Sequence, residues 1–136
     1  MTFQLTEPIL LIGLGGVGAS LAEKAKKSLN SDCLLISHDQ KDLTAENSIK
    51  ISTKSVVNPS THLIRGSTLE TSDEIKKNIA NYSTVILISN LAGKAGAGIG
   101  PIVSRICKQE QKNLLSFAIM PFKFEKERIF QSGIAL

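Results

Sequence analysis

The chain has 136 residues, the length of one ordinary domain, so a single hydrophobic core is expected. Charged residues make up 21% of the chain and only four residues are proline, which is typical of folded proteins and excludes a disordered one. The net charge of +4 would suit a nucleic-acid partner, but the lysines fall on the polar sides of predicted helices without aromatic residues between them, so no such partner is expected.

Five short apolar runs predict buried strands. Most of them are apolar at nearly every position, as parallel strands covered on both faces require. The runs are 9–12, 33–37, 48–52, 84–89 and 114–119. Because helical stretches separate them, the sequence predicts an α/β fold: a Rossmann-like open, mainly parallel sheet with helices on both faces.

Helical spacing of apolar residues fills the intervals between these strands. The first helix is expected over 17–29, and its buried face is expected to comprise Val17, Leu21, Ala22, Ala25 and Leu29. A second is expected to begin with Ser72 as its N-cap and to bury Ile75 and Ile79. A third is expected over 99–111 with Pro101 in its first turn. Between the first two, 53–71 is expected to be a long loop with at most a short helix, and a fourth helix is expected after Phe124.

The first predicted strand runs into a glycine-rich segment, and a helix follows. Gly13, Gly15 and Gly18 fit the pattern GxGxxG, and Asp39 lies 21 residues beyond Gly18, just after the second strand. Glycines let the backbone approach a phosphate, and the N–H groups of a helix start attract it. Together with an acid for the ribose, this is the fingerprint of dinucleotide binding, and it also resembles the adenylating enzymes that activate ubiquitin-like proteins. Ser20 offers a further hydroxyl donor.

A second glycine-rich segment follows the fourth strand. It runs from Asn90 to Pro101 and also leads into a helix. Both segments stand at carboxyl ends of strands, where open α/β sheets bind ligands, so we expect them to grip one polyphosphate together.

At this point the sequence resembles the FtsZ/tubulin superfamily. The stretch from Ala92 to Gly98 falls on the family's GGGTGTG loop in register with Pro101, and the next strand ends in a PFKFE segment at 121–125 that matches PFxFE of FtsZ. The first loop also aligns, with Ser20 in the place of an Asn, and Asn58-Pro59 stands where FtsZ has its NPE loop. The resemblance implies a nucleotide-binding domain over 1–136 that ends before the central helix, the acidic catalytic loop and the C-terminal domain.

Three positions depart from the family's signature. Ala95 and Ala97 replace threonines, which removes hydroxyl donors to phosphate, and Lys94 replaces a glycine. Lys94 either contacts a phosphate directly or points to solvent. Glu125 fits the ribose-binding Glu of the family, whereas Arg128 comes three residues later where the family has its Arg at four.

The resemblance implies a set of nucleotide-binding residues. They are Gly15, Gly16, Val17, Gly18, Ser20, Asp39, Ala92, Gly93, Lys94, Ala95, Gly96, Ala97, Gly98, Glu125 and Arg128. The implied ligand is GTP or GDP with Mg²⁺, and the implied partner is a second copy of the protein in a protofilament. No catalytic residue is predicted. No protein-built metal site is predicted either, because His38 and His62 lack metal-type spacing.

Three functions remain open: a self-assembling GTPase with a cytoskeletal or cell-division role, an NAD(P)-binding or adenylating domain, and a scaffold that no longer hydrolyses nucleotide. No apolar run approaches the about 20 residues of a membrane span, and residues 1–8 lack the basic start of a secretory signal. A cytoplasmic protein without direct membrane contact is therefore expected. Cys33 and Cys107 stand in apolar stretches and are predicted to be core thiols.

Overall fold

The computed structural model describes residues 7–45, 47–53, 58–90 and 93–119. In these ranges five strands form one sheet: β1 (Ile9–Leu14), β2 (Asp32–Ser37), β3 (Ser48–Lys50), β4 (Thr84–Asn90) and β5 (Asn113–Ile119). All neighbouring strands are parallel, in the order β3-β2-β1-β4-β5. The five predicted strands are confirmed, and only their ends differ.

Helices cover both faces of the sheet. They are α1 (Gly15–Leu29), α2 (Thr61–Glu70), α3 (Ser72–Ile79) and α4 (Lys94–Gln109). Residues of α1 pack into one core, and residues of α2, α3 and α4 pack into the other. The predicted fold class is therefore confirmed. None of the helices in the described ranges has the length and apolar character needed to cross a membrane. The helix expected after Phe124 lies outside the described residues.

Successive side chains along a strand point alternately into the two cores. In β1, for example, Leu10 and Ile12 point into the larger core and Leu11 into the smaller one. The two cysteines are distributed in the same way, Cys107 in the larger core and Cys33 in the smaller. Both are free and buried, and burial raises the pKa of each thiol, that of Cys107 to about 11. The prediction of core thiols is confirmed.

The buried face of α1 differs from the predicted one. Three side chains expected in the core are 39% to 49% exposed: Val17, Leu21 and Leu29. Small residues are buried in their place: Gly15, Gly18, Ala19 and Ala22. The reason is the short distance between helix and sheet, since a Cβ on Gly18 would lie 2.5 Å from the carbonyl oxygen of Ile88. Large side chains do not fit there, and the prediction holds only for Ala22 and the partly buried Ala25.

Helix α2 occupies the second half of the segment 53–71, which was predicted to be mainly loop. Ser60 caps the helix by accepting a hydrogen bond from the Leu63 N–H at 3.1 Å. The apolar period is weak because a buried position carries Thr68, whose hydroxyl donates to the Ile64 carbonyl oxygen at 2.7 Å. That bond satisfies the hydroxyl inside the core, a solution that hydrophobic periodicity does not reveal.

Helix α3 begins at Ser72, which was predicted to be its cap. Only Thr71 separates α2 from α3, so there is no room for a separate capping turn. The Ser72 hydroxyl instead donates to the Leu69 carbonyl oxygen at 2.6 Å. Ile75 and Ile79 are buried, as predicted.

Helix α4 begins at Lys94, earlier than the predicted start at residue 99. Most of the second glycine-rich segment is therefore helix, and Pro101 lies in the helix interior. Because proline has no N–H, the carbonyl oxygen of Ala97 four residues earlier receives no helical hydrogen bond. Arg65 of α2 replaces the missing donor, with its Nη2 atom 3.1 Å from that oxygen.

Gly98 sets the distance between α2 and α4, because a Cβ there would lie 2.8 Å from Ile64 Cγ2 and 3.1 Å from the Thr61 carbonyl oxygen. We predict that Gly98→Ala lowers the free energy of unfolding by about 1–3 kcal/mol through overpacking. At Gly100 the nearest atom, Leu14 Cδ1, is 3.7 Å away, so Gly100→Ala should stabilise by up to about 1 kcal/mol through helix propensity. Urea unfolding measures both, and effects of the same sign would contradict this packing account.

Candidate functional site

The order of the strands reverses between β1 and β4. From β1 the chain proceeds outward to β2 and β3, and from β4 it proceeds outward on the other side to β5. In open α/β sheets a ligand binds beyond the carboxyl ends of the strands at such a reversal. The two glycine-rich segments follow β1 and β4 directly, so the topology brings both to this place.

The first turns of α1 and α4 contact each other at this point. Gly15 has a backbone φ of +70°, which residues other than glycine rarely adopt. A Cβ on Gly15 would also lie only 2.9 Å from the Cβ of Ala95. A larger residue at either position would push the two helix starts apart, so the pair Gly15 and Ala95 determines how closely they approach.

A pocket of about 190 Å³ lies between the two helix starts. It is lined by Leu14, Gly15, Gly16, Val17, His38, Asp42, Asn90, Gly93, Lys94, Ala95 and Gly96. The volume is below the about 300–1,000 Å³ of a pocket for a complete small ligand, so the space suits one end of a ligand, such as a phosphate group.

A larger open cleft of about 850 Å³ lies beside α1 and the start of β2. Positively and negatively charged side chains line it, and Ser20 is the one predicted site residue among its lining residues. Neither helix start lines this cleft, since Gly15 and Lys94 are both absent from it. We therefore regard the smaller pocket as the candidate site.

The start of α4 presents backbone donors to this pocket. The first helical hydrogen bond of α4 runs from the Ala97 N–H to the Gly93 carbonyl oxygen, at 3.0 Å. The N–H groups of Lys94, Ala95 and Gly96 precede it and have no acceptor within the helix. Neither α1 nor α4 has a side-chain cap or an acidic residue in its first turn. Both helix dipoles therefore favour an anion in the pocket.

Five predicted site residues lie within the described ranges but outside the pocket: Gly18, Ser20, Asp39, Ala97 and Gly98. Gly18 is buried under α1, where it allows the helix to approach β4. Ser20 faces the larger cleft. Ala97 and Gly98 are buried within α4, beside α2, and the Ala97 N–H is already used within the helix. Gly18, Ala97 and Gly98 instead belong to the packing that brings the two helix starts together.

The acid that lines the pocket is Asp42, not the predicted Asp39. Asp39 accepts the backbone N–H of Lys41 at 3.2 Å, which is the main cause of its lowered pKa, and it lies 3.5 Å from the Lys41 ammonium. Asp42 accepts a hydrogen bond from the buried hydroxyl of Ser37 at 2.8 Å. Its Oδ1 atom lies 3.0 Å from the place that a Cβ on Gly16 would occupy. A short 3-10 helix over Gln40–Asp42 places Asp42, and not Asp39, in the lining of the pocket, and sequence spacing alone does not predict this.

His38 also lines the pocket. Its Nδ1 atom is buried and has no hydrogen-bond partner in the described part of the chain. Burial is the largest cause of its lowered pKa; Asp39 and Asp42 oppose this effect and Lys94 adds to it. The imidazole is therefore neutral at pH 7.

Lys94 extends from the start of α4 to the loop before α2. Its Nζ atom donates to Asn58 Oδ1 at 2.5 Å, and Asn58 has a φ of 53° in the left-handed region that asparagine tolerates. This contact brings the Asn58-Pro59 segment to the edge of the site. The predicted residues Ala92, Glu125 and Arg128 lie outside the described residues.

Comparison with known proteins identifies the family. The model of the GTPase domain of the Tubulin/FtsZ family matches residues 62–135, more than half of the chain. The chain therefore belongs to the Tubulin/FtsZ family, as its resemblance implied. The sequence matches no curated protein.

Solved structures of this family share the fold. An empty FtsZ dimer from M. jannaschii superposes with a TM-score of 0.84 at 22% identity, over 96% of this chain and 41% of that one. TubZ from Clostridium botulinum phage c-st gives 0.76 at 16% identity, over 96% and 46%. The phage tubulin PhuZ with GDP gives 0.79 at 15% identity, over 93% and 41%. The chain thus spans less than half the length of these proteins.

The neutral His38 makes stability depend on pH. Its folded-state pKa is lowered, so the unfolded chain binds a proton more readily, and the contribution of His38 to stability is lost as the pH falls through 6.5. We predict that the free energy of unfolding decreases from pH 7.5 to pH 5.5 and that His38→Gln reduces this decrease. Urea unfolding across that range tests it, with His62→Gln as the control. An unchanged pH dependence in His38→Gln would refute this explanation.

Proposed function

We propose that this chain is the nucleotide-binding domain of a self-assembling GTPase and that it binds GTP or GDP at the pocket between α1 and α4. The observation that carries the proposal is the convergence of two helix starts, at Gly15 and Lys94, on one pocket at the strand reversal. A polyphosphate is the ligand that two such donor sets accommodate best.

The donors of the pocket hold phosphate groups in this proposal. The backbone N–H groups of Gly16 and Val17 contact them from α1, and those of Lys94, Ala95 and Gly96 contact them from α4. The Asn58-Pro59 segment and His38 form the edge from which the rest of the nucleotide extends. Glu125 and Arg128 remain predicted ribose contacts.

Mg²⁺ was expected from the resemblance, but the described residues offer it little. They contain no group of three or more His, Cys, Asp or Glu side chains that could hold a metal ion. Asp42 is the one acidic residue among those lining the pocket. A magnesium ion there would depend mainly on phosphate and water oxygens, with Asp42 as the one carboxylate that the described residues bring to the pocket.

Hydrolysis in this proposal is a property of the assembled protein. The described residues provide donors for phosphate, and His38 and Asp42 are the lining side chains that could accept a proton. In this proposal the part left to be supplied is the orientation of the attacking water. Positioning of water by a neighbouring copy would supply the missing part, because phosphoryl transfer depends on orientation and charge stabilisation. Assembly into protofilaments and a role in the cytoskeleton or in cell division belong to the same proposal.

Thermal unfolding in the presence of nucleotides tests the ligand class. We expect GTP and GDP to raise the melting temperature, since a ligand that binds only the folded state adds RT ln(1 + [L]/Kd) of stability. NAD, NADP and ATP at the same concentration should have a smaller effect. A shift with NAD alone would favour the dinucleotide alternative. No shift with any nucleotide would favour a scaffold without bound nucleotide.

A variant that fills the pocket tests its location. Gly16 is exposed, and the nearest atom to a Cβ there is the flexible Asp42 carboxylate, so Gly16→Glu should fold and place a negative charge before the phosphate donors. We predict at least about a tenfold loss of GDP affinity from this repulsion. Gly66→Glu on α2, where a Cβ meets no atom within 4 Å, is the matched control. Equal affinities of the two variants would place the site elsewhere.

A further inference from the structure

Lys94 is the one cationic side chain among the described residues that line the pocket. The only other basic residue there, His38, has a lowered pKa and is neutral at pH 7. Asp42 carries the opposite charge and lies on the α1 side, against Gly16. The positive charge of the pocket is therefore concentrated at the start of α4.

The position of Lys94 is electrostatically unfavourable in the absence of an anion. It is the first residue of α4, where the helix dipole is positive and a cation is normally avoided. An anion bound in front of the same helix turn would contact both the ammonium and the backbone N–H groups. The unfavourable placement thus becomes favourable when phosphate binds.

The charge of Lys94 is not neutralised by an acid within the described residues. Its hydrogen-bond partner is the neutral amide oxygen of Asn58, and the ion pair that the described residues form is between Lys41 and Asp39. The contact with Asn58 is exposed, so the ammonium can leave it for a phosphate oxygen at little cost. A charge-assisted hydrogen bond to phosphate is the stronger of the two.

We propose that Lys94 supplies the positive charge that a divalent cation would otherwise supply, so that the chain binds nucleoside di- and triphosphates without Mg²⁺. This inference rests on the proposed function and specifies the charge chemistry of that site. It also assigns a purpose to the lysine that replaces a glycine of the family's signature. One ammonium compensates for the hydroxyl donor that is absent at Ala95.

The affinity for GDP, measured by calorimetry in Mg²⁺ and in EDTA, tests the proposal. Wild type should bind with dissociation constants within about threefold of each other in the two buffers, a difference of well under 1 kcal/mol. Lys94→Gln should weaken binding by about tenfold or more in EDTA, the usual loss for a charge-assisted hydrogen bond, and by less in Mg²⁺. Lys94→Arg should retain most of the affinity. Lys24→Gln, which removes an exposed lysine of α1 outside the pocket, should match wild type.

The outcomes separate this inference from the function on which it rests. If wild type binds GDP only with Mg²⁺, or if Lys94→Gln binds as wild type does in EDTA, the role of Lys94 is wrong while nucleotide binding stands. If wild type binds GDP in neither buffer, the proposed function fails and the inference fails with it. Circular dichroism of each variant establishes that a loss of affinity is not a loss of fold.

Discussion

The close approach of two helix starts is the constraint on which the rest of the structure depends. Gly15 and Ala95 stand in contact there, and no side chain larger than these fits between them. The approach itself follows from Gly18, which seats α1 directly on β4, and from Gly98, which seats α4 on α2. Glycines that do not themselves line the pocket thus determine its width, and the packing of the sheet determines where the donors point.

This arrangement has an electrostatic consequence. Two helix dipoles direct their positive ends into one small pocket, and a lysine adds a full charge at the same place. Among the described lining residues, Asp42 is the one group that offsets this charge, and Ser37 fixes it near Gly16. A bound polyphosphate would offset the remainder. Without an anion these positive charges are locally unfavourable, and a bound anion makes them favourable.

The sheet could be predicted from the sequence because fully apolar runs have few other uses in a chain of this composition. The helices were harder, for identifiable reasons. The face of α1 that packs on the sheet consists of small residues, where Val17 and Leu21 were expected. The buried face of α2 includes the polar residue Thr68, so its apolar period is weak. The glycines before Pro101 indicated a loop, although Arg65 allows the helix to include them.

The site was predictable where it depends on the backbone and less so where it depends on side chains. Glycines after two strands predicted where the backbone N–H donors lie. That Asp42 lines the pocket and Asp39 does not follows from a 3-10 turn that leaves no sequence signal. The central claim is that one bound polyphosphate contacts both helix starts. Amide NMR during a GDP titration tests it most directly: the amides of Gly16 and of Lys94 to Gly96 should shift together with one dissociation constant. Shifts at only one of the two helix starts, or at neither, would contradict it.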